Sequence, residues 1–346
     1  MKIKAAVLYE LNKPLEIVEL EHQKLLPGQV LVKIFYSGVC RSQLMEVRGY
    51  RGNDPWLPHL LGHEGSGEVV EIGEGVEKVK VGDLVILGWV RGKGLESPGA
   101  EYTTNDQIIH SGRVTTFSNY SIVSENRLVK LPKKLPLDIA VLFGCALLTG
   151  AGVVFNELKP SKQETIIVIG LGGIGLSALM ALNEIKPAIL IAIDIYDEKL
   201  AFAKTLGATH IINSSNKNVI NEVRNILPEG ADACIESGGK VETIELGFSL
   251  IRKGGGRLYF ASHPPEGEYI KINPFELISG KNIFGSWGGS SRPDTDIPKL
   301  AKSYIHGNFP LEGLLTKRYS LEQINDALDA LETGRVFRPL IEMTHL

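Results

Sequence analysis

The stretch Thr165-Ile166-Ile167-Val168-Ile169-Gly170-Leu171-Gly172-Gly173-Ile174-Gly175 decides the fold of this 346-residue chain. A short apolar run leads into three glycines with the spacing G-x-G-x-x-G. A helical segment follows, and a second apolar run, Ala188–Ile193, ends at Asp194. Strand, glycine turn, helix and strand in this order predict a βαβ unit that ends in an acidic residue.

Each glycine of this unit has a separate physical role. Gly170 permits the tight turn, Gly172 lets a pyrophosphate approach the backbone, and Gly175 lets helix and strand pack closely. The pyrophosphate would lie against N–H groups at the positive end of the helix, and Asp194 would accept hydrogen bonds from both ribose hydroxyls. A lone G-x-G-x-x-G often marks an ordinary turn, but the complete pattern predicts dinucleotide binding.

Length and composition limit the remaining possibilities. The chain is long enough for two domains, and its formal net charge of -3 gives no sign of a nucleic-acid footprint. No signal peptide is evident, and no apolar run reaches the roughly 18 residues of a membrane helix. We therefore expect a cytoplasmic protein that binds neither nucleic acid nor membrane. Three cysteines do not make a disulfide framework, so the thiols are expected to be reduced.

The two halves of the chain differ in their predicted secondary structure. Strand-like runs at 3–20, 29–37 and 68–72, separated by glycine-rich turns, predict a β-rich, partly open barrel. We interpret residues 88–115 as a long surface loop and Leu137–Phe155 as a helical stretch. From residue 164 onward, strands and helices alternate, which predicts an α/β domain with a six-stranded, doubly wound parallel sheet.

Three side chains outside the glycine motif could bind a metal ion. Cys40 follows a strand, His63 precedes Glu64 between glycines, and Cys145 lies shortly before the βαβ unit. Two thiolates and an imidazole suit Zn²⁺, and three protein ligands leave a fourth position open for water or substrate. Taken singly, such residues are more often buried thiols or hydrogen-bonded histidines. Cys234 fits that description and is assigned to the core.

Motifs along nearly the whole chain match one known family in order and spacing. They are Gly38–Ser42, Gly62–Glu64, Val81–Asp83, Thr116–Tyr120, Phe143–Gly150, Gly170–Gly175, Asn273-Pro274, Leu277–Gly280, Gly334 and Arg338. These motifs resemble the medium-chain, zinc-dependent alcohol dehydrogenases, most strongly the branch with the animal and plant enzymes. The resemblance implies a GroES-like catalytic domain from residues 1–146 and 288–346, and an NAD-binding Rossmann domain from residues 147–287.

The resemblance also implies roles for individual residues. Cys40, His63 and Cys145 would bind one catalytic zinc, with Glu64 beside it and Ser42 taking the substrate proton. The implied contacts to NAD are Arg41, Thr149, Gly170, Gly172, Gly173, Ile174, Gly175, Asp194, Lys199 and Arg338. Trp89 would form an aromatic wall of the substrate pocket. Without the motifs, the three cationic side chains in this set would be interpreted as solvated surface charges.

Three features depart from the family pattern. Many members bind a structural zinc through four cysteines in the lobe that corresponds to residues 88–115, but this segment has no cysteine, so no structural zinc is expected. Gln43 stands where the family usually has an aspartate that hydrogen-bonds the zinc-bound histidine, so one charge is lost. Met45 replaces a histidine that passes the proton to solvent in some members. The proton would then leave through the cofactor ribose and water, or through another residue.

We therefore predict a zinc- and NAD-dependent alcohol dehydrogenase that transfers a hydride between an alcohol and NAD, reversibly forming an aldehyde or ketone. The alternatives are a zinc-free quinone or enone reductase of the same superfamily, and a non-catalytic nucleotide-binding or structural protein. Gly280–Gly289 resembles the edge strand through which family members pair, so we expect a homo-oligomer, with a dimer favoured. Primary, secondary, polyol and sugar-derived alcohols all remain open as substrates.

Overall fold

This computed structural model describes residues 2–345. Within them, apolar side chains form three buried clusters. The chain divides into a first unit, Met1–Cys145 with Arg292–Leu346, and a second unit, Ala146–Ser291. Two of the clusters lie in the first unit and the third lies in the second. Each unit therefore has a hydrophobic core of its own, as a domain requires.

The first unit is built mainly from strands. Numbered in chain order, they are β1 (Ile3–Leu8), β2 (Glu16–His22), β3 (Gln29–Gly38), β4 (His59–Leu60), β5 (Glu64–Ile72), β6 (Leu84–Gly88), β7 (Glu101–Thr104), β8 (Gln107–His110), β9 (Tyr120–Ser124), β10 (Leu128–Lys130), β17 (Lys317–Ser320) and β18 (Pro339–Glu342). Five of them, in the order β1-β2-β7-β8-β4, close on themselves as a barrel because β1 pairs with both β2 and β4. The others form a sheet in the order β10-β6-β5-β3-β18-β17, with β9 also paired to β3.

The second unit has six parallel strands, and helices connect most of them. Its strands are β11 (Thr165–Ile169), β12 (Ile189–Asp194), β13 (His210–Asn213), β14 (Ala233–Glu236), β15 (Arg257–Phe260) and β16 (Asn282–Gly285). They lie in the order β13-β12-β11-β14-β15-β16, which is the doubly wound order of the Rossmann fold. The predicted parallel sheet is therefore confirmed.

The helices are short and distributed over both units. They are α1 (Arg41–Val47), α2 (Leu137–Ala140), α3 (Ala146–Gly152), α4 (Gly173–Ile185), α5 (Asp197–Thr205), α6 (Val219–Ile226), α7 (Val241–Leu250), α8 (Pro274–Ile278), α9 (Pro293–Ile305) and α10 (Ile324–Glu332). Single 3-10 turns span Glu125–Arg127, Val141–Gly144, Gly288–Ser290, Leu311–Leu314 and Leu321–Gln323, and Val153–Leu158 is a π-helical turn.

Two sequence-based assignments in the first unit were wrong. Residues 3–20 are not one strand: β1 and β2 pair antiparallel across a turn in which Asn12 has a φ of 64°. Residues 88–115 are not only a loop, since β7 and β8 form a hairpin there. Its turn residues Asn105 and Asp106 both have positive φ, as a two-residue type I′ turn requires. The several glycines just before this hairpin masked its alternating pattern.

The helical stretch predicted at Leu137–Phe155 is interrupted. After α2 and a 3-10 turn, Cys145 leaves the helical region with φ -148° and ψ -76°, and α3 begins at the next residue. No single helix among residues 2–345 is long and apolar enough to cross a membrane. The bent pair Leu137–Gly144 and Ala146–Leu158 reaches the required length and composition, but its residues are largely buried.

The glycine turn after β11 is as crowded as its predicted roles require. Gly170 has a φ of +84°, and a Cβ there would lie 2.5 Å from the Gly238 nitrogen. A Cβ on Gly175 would lie 1.9 Å from the Gly170 carbonyl oxygen. Apart from its chain neighbours, a Cβ on Gly172 would meet no atom of residues 2–345 within 4 Å. Two of the glycines therefore serve the packing of the turn, while Gly172 faces open space.

We predict that Gly175→Ala and Gly172→Ala affect stability differently. Gly175→Ala forces a methyl group against a backbone oxygen and should lower the free energy of unfolding by about 1–3 kcal/mol. Gly172→Ala has room and should stay within about 1 kcal/mol of the parent protein, since only the preference at the helix N-cap changes. Thermal unfolding of both variants is the measurement. An equal loss in the two variants would contradict the assignment.

Candidate metal centre and dinucleotide site

Three elements of the first unit bring the predicted metal ligands together. Cys40 is the N-cap of α1, two residues after the end of β3, and His63 directly precedes β5. Cys145 lies at the break in the helical stretch described above. The ligand atoms of these three residues all lie within 4.8 Å of one another. The break at Cys145, which the sequence did not predict, is therefore part of the site.

The donor set fits a tetrahedral Zn²⁺. The Sγ atoms of Cys40 and Cys145 lie 4.0 Å apart, and two thiolates on one zinc are roughly 3.8 Å apart when each Zn–S bond is about 2.3 Å. The His63 Nε2 atom is buried and has no hydrogen-bond partner among residues 2–345. A buried polar atom without a partner is costly unless a ligand satisfies it, so a metal ion at this position would satisfy it.

The two thiols differ in acidity because they share a hydrogen bond. The pKa of Cys40 is held well below its usual value because Cys145 donates a hydrogen bond to it and Arg338 lies nearby, although burial acts in the opposite direction. The pKa of Cys145 is raised well above its usual value by the same hydrogen bond and by burial. Metal binding requires both thiolates, so the proton that this pair retains must leave when a metal binds.

Glu64 and Arg338 form a buried ion pair beside the thiols. Arg338 Nη2 lies 2.5 Å from Glu64 Oε1, and the two side chains are 5% and 0% exposed. Burial raises the pKa of Glu64 more than the guanidinium lowers it. Burial likewise lowers the pKa of Arg338, but the charges of Glu64 and Cys40 outweigh it. Arg338 was predicted to contact pyrophosphate; the structure places it against Glu64, and the pyrophosphate contact stays a prediction.

Two side chains of α1 contact the other ring nitrogen of His63. Ser42 Oγ lies 3.3 Å from His63 Nδ1, and the amide nitrogen of Gln43 is also in hydrogen-bond contact with Nδ1. Gln43 Oε1 accepts a hydrogen bond from the Cys40 backbone N–H at 3.0 Å. Met45, two residues further along, is buried and has no titratable proton. Gln43 thus couples the start of α1 to a predicted metal ligand.

The remaining first-unit predictions lie at the surface or half-buried. Arg41, the first residue of α1, is exposed. Trp89 is half-buried, and its carbonyl oxygen accepts a hydrogen bond from Arg127. The described contacts do not bring Trp89 to a defined pocket, so its role as a pocket wall stays a prediction.

Segment 88–115 is anchored by a cluster of charges. The carboxylate of Glu96 pairs with Arg91 at 3.1 Å, with Arg113 at 2.6 Å and with Arg127 at 3.1 Å. The hydrogen bond from Arg91 and the charges of the other two arginines lower the pKa of Glu96, despite some desolvation. Several charges on one acceptor form a network, which is worth more than isolated surface pairs.

A second group of possible ligands, which sequence reasoning missed, comes from the last turn of α1, the loop that follows it and β4. Glu46, Asp54 and His59 have ligand atoms within 4.8 Å of one another. His59 Nε2 lies 2.9 Å from an Asp54 oxygen, and its Nδ1 contacts the Leu60 carbonyl oxygen at 3.0 Å. Both ring nitrogens of His59 therefore have protein partners. We interpret the group as a set of hydrogen bonds that stabilises the loop before β4.

In the second unit, Asp194 ends β12 and turns toward the glycine motif. Its Oδ2 accepts a hydrogen bond from the Leu171 N–H at 2.6 Å, and its Oδ1 accepts from the Ile195 and Tyr196 N–H groups at 2.8 and 3.0 Å. The N-cap of α5 is Tyr196, so Asp194 does not cap that helix. These bonds fix the carboxylate beside the glycine turn.

Other residues predicted to contact NAD also lie in the second unit. The open space at Gly172 is where a pyrophosphate could approach the backbone. Thr149 Oγ1 is buried and has no hydrogen-bond partner within residues 2–345, so a ligand could satisfy it. Ile174 is half-buried, and the Lys199 ammonium lies 4.8 Å above the Tyr196 ring.

Comparisons with known proteins agree with this architecture. Residues 26–133 match the alcohol dehydrogenase GroES-like domain family, and residues 173–303 match the zinc-binding dehydrogenase family. An S-(hydroxymethyl)glutathione dehydrogenase of Paracoccus denitrificans is 31% identical over 376 residues, covering 99% of this chain and 100% of the relative.

Solved structures give the same result. An alcohol dehydrogenase zinc-binding domain protein from Burkholderia ambifaria is 29% identical with a TM-score of 0.91, and the match covers 100% of both chains. A benzyl alcohol dehydrogenase from Acinetobacter calcoaceticus is 28% identical with a TM-score of 0.89, covering 99% of this chain and 100% of the other. The chain belongs to the medium-chain, zinc-dependent alcohol dehydrogenase family, a family of oxidoreductases.

Proposed function

We propose that this protein is an alcohol dehydrogenase that uses one zinc ion and NAD. The observation that supports this most directly is the group Cys40, His63 and Cys145, whose ligand atoms lie within 4.8 Å of one another, with an imidazole Nε2 that has no hydrogen-bond partner within residues 2–345. In this proposal residues 1–146 and 288–346 form the catalytic domain, and residues 147–287 bind NAD. The relatives are named for different alcohols, so the proposed substrate class is alcohols in general.

In the proposed reaction, a zinc ion held by these three residues would act as a Lewis acid on the substrate oxygen, and the nicotinamide would exchange a hydride with the substrate carbon. Ser42 Oγ accepts the alcohol proton while its own hydroxyl proton is passed on. Arg338 stabilises the Cys40 thiolate and the Glu64 carboxylate, so the negative charge of the site is partly balanced before any cation binds. Buried Met45 cannot pass a proton onward, so the proton must leave Ser42 by another route.

We also propose that the chain forms a homodimer. Strand β16 is the outer strand of its sheet within the described residues, and β15 is its only partner there. Phe284 on β16 is 42% exposed and Trp287, just beyond it, is 80% exposed. An unpaired strand edge with exposed apolar side chains favours pairing with a second copy.

The zinc proposal predicts that Cys145→Ala loses bound zinc and activity while the protein stays folded, because each unit has its own apolar core. Elemental analysis after gel filtration should give about one zinc per chain for the parent protein. Cys234→Ala is the matched control, since Cys234 is fully buried in the second-unit core, and it should keep its zinc. Two tightly bound zinc ions per chain would contradict the proposal, and none would favour a zinc-free reductase or a non-catalytic protein.

The proposed role of Ser42 predicts that Ser42→Ala lowers turnover by roughly 10²-fold or more, the usual scale for a positioned acid–base group. The zinc content should not change, because Ser42 is not among the three ligands. Steady-state kinetics with a primary and a secondary alcohol, together with metal analysis, make the test. Turnover close to that of the parent protein would show that the proton leaves without Ser42.

The Asp194 carboxylate is expected to make the protein prefer NAD to NADP as its cofactor. A 2′-phosphate beside this carboxylate would lose a hydrogen bond and face like-charge repulsion worth on the order of 1–4 kcal/mol. Since about 1.4 kcal/mol is a factor of ten, the expected preference for NAD is ten- to several-hundred-fold. Asp197 adds another negative charge in the first turn of α5, while Lys199 is the nearby cation.

We predict that Asp194→Gly narrows this preference, chiefly through the KM for the cofactor. The control is Asp197→Asn, which removes a neighbouring charge without removing the ribose acceptor, and it should have a smaller effect. Kinetics with both cofactors on one alcohol measure the preference, and thermal unfolding monitors the loss of the three backbone hydrogen bonds of Asp194. An equal or higher kcat/KM with NADP in the parent protein would overturn the assignment.

A further inference from the structure

The orientation of the Gln43 side chain is set by the backbone. Gln43 is buried, and it is the third residue of α1. The Cys40 backbone N–H can only donate a hydrogen bond, so the Gln43 atom 3.0 Å from it must be the carbonyl oxygen Oε1. The other end of the amide, the NH₂ group, therefore contacts His63 Nδ1.

This contact decides where the imidazole of His63 carries its proton. An amide NH₂ group can only donate, so Nδ1 must be the acceptor and cannot hold a proton. In the neutral ring the proton is then on Nε2. Nε2 is the buried ring nitrogen that has no hydrogen-bond partner within residues 2–345, and it is the ring nitrogen left free to bind a metal ion together with the two thiols.

A metal ion needs the opposite tautomer. A neutral histidine that binds a metal through Nε2 must carry its proton on Nδ1 and donate it to an acceptor. Gln43 could accept that proton only if its amide turned over, which would place the NH₂ group against the Cys40 N–H. Ser42 Oγ, 3.3 Å from Nδ1, is a longer contact. Turning the amide over would break the hydrogen bond from the Cys40 N–H to Gln43. Using Ser42 as the acceptor instead would break the hydrogen bond from Gln43 to Nδ1.

We propose that Gln43 is a positioning residue that holds His63 in the Nε2–H tautomer and thereby weakens zinc binding at Cys40, His63 and Cys145. The proposal rests on the proposed zinc site. Partners of metal-bound histidines typically change metal affinity by 10- to 100-fold. A carboxylate of the same shape at position 43 would accept from both the Cys40 N–H and Nδ1–H, and would remove the conflict.

The test compares zinc affinity in the full-length parent protein and in Gln43→Glu by competition with a chelator. We expect zinc to bind about 10- to 100-fold more tightly to Gln43→Glu. The matched control is Gln323→Glu, because Gln323 occupies the same third position after a capping residue, where its Oε1 accepts from the Ser320 N–H at 3.0 Å. The zinc affinity of this control should equal that of the parent protein.

Nitrogen NMR of the zinc-free proteins gives a readout that does not involve activity. His63 should be the Nε2–H tautomer in the parent protein and shift to Nδ1–H in Gln43→Glu. Gln43→Ala also removes the donor, so it should shift the tautomer as well. This second variant keeps the test possible if Gln43→Glu does not fold. A merely structural role for Gln43 predicts no change of tautomer in either variant.

The outcomes separate this inference from the proposed function. If the parent protein binds one zinc and Gln43→Glu binds it no more tightly, the inference is wrong and the proposed function stands. If His63 in the zinc-free parent protein is already the Nδ1–H tautomer, the inference is equally wrong. If the parent protein binds no zinc while Cys40, His63 and Cys145 are intact and reduced, the proposed function falls and the inference falls with it.

Discussion

The buried guanidinium of Arg338 is the constraint on which the rest of the first-unit site depends. An isolated buried charge costs several kcal/mol, so it must be paired. Glu64 pairs with it at 2.5 Å, and the Cys40 thiolate adds a second negative charge nearby. Glu64 is the first residue of β5, Arg338 directly precedes β18 and Cys40 is the N-cap of α1, so these charges connect three separate elements. Removing either partner of the ion pair would leave an uncompensated buried charge, and the elements would lose their common anchor.

The second unit also contains a mostly buried acidic side chain, and its partners are backbone N–H groups. The Asp194 carboxylate is mostly buried, and three backbone N–H groups satisfy it. One of these comes from Leu171 in the glycine turn, so the acid and the turn fix each other's position. Hydrogen bonds from N–H groups to an ionised carboxylate are stronger than neutral ones. The site is therefore held in shape by the chain itself, which reduces the ordering that a dinucleotide would have to impose.

How much the sequence could predict depended on the range of the interactions. The apolar runs and glycines of 165–175, and the alternation of strands and helices from residue 164 onward, are local features, so the doubly wound parallel sheet could be predicted from them. The hairpin at Asn105-Asp106 was also local, and its two-residue turn between β-branched runs was the signal that was overlooked. The break at Cys145 and the burial of Arg338 against Glu64 depend on tertiary packing, which overrides local helix propensity. No periodicity in the sequence contains that information.

The amide at position 43 has a further physical consequence. If a divalent cation bound at the proposed site, two thiolates and the Glu64 carboxylate would supply three negative charges, and the cation together with Arg338 would supply three positive charges. Gln43 adds no charge, so that cluster would be neutral, whereas an aspartate at position 43 would leave it with one excess negative charge. Burying an uncompensated charge is unfavourable. Compared with a carboxylate, Gln43 therefore makes a weaker hydrogen bond to His63 but avoids the cost of burying an additional charge. The tighter zinc binding that we expect of a carboxylate at position 43 therefore comes with the desolvation of one more buried charge.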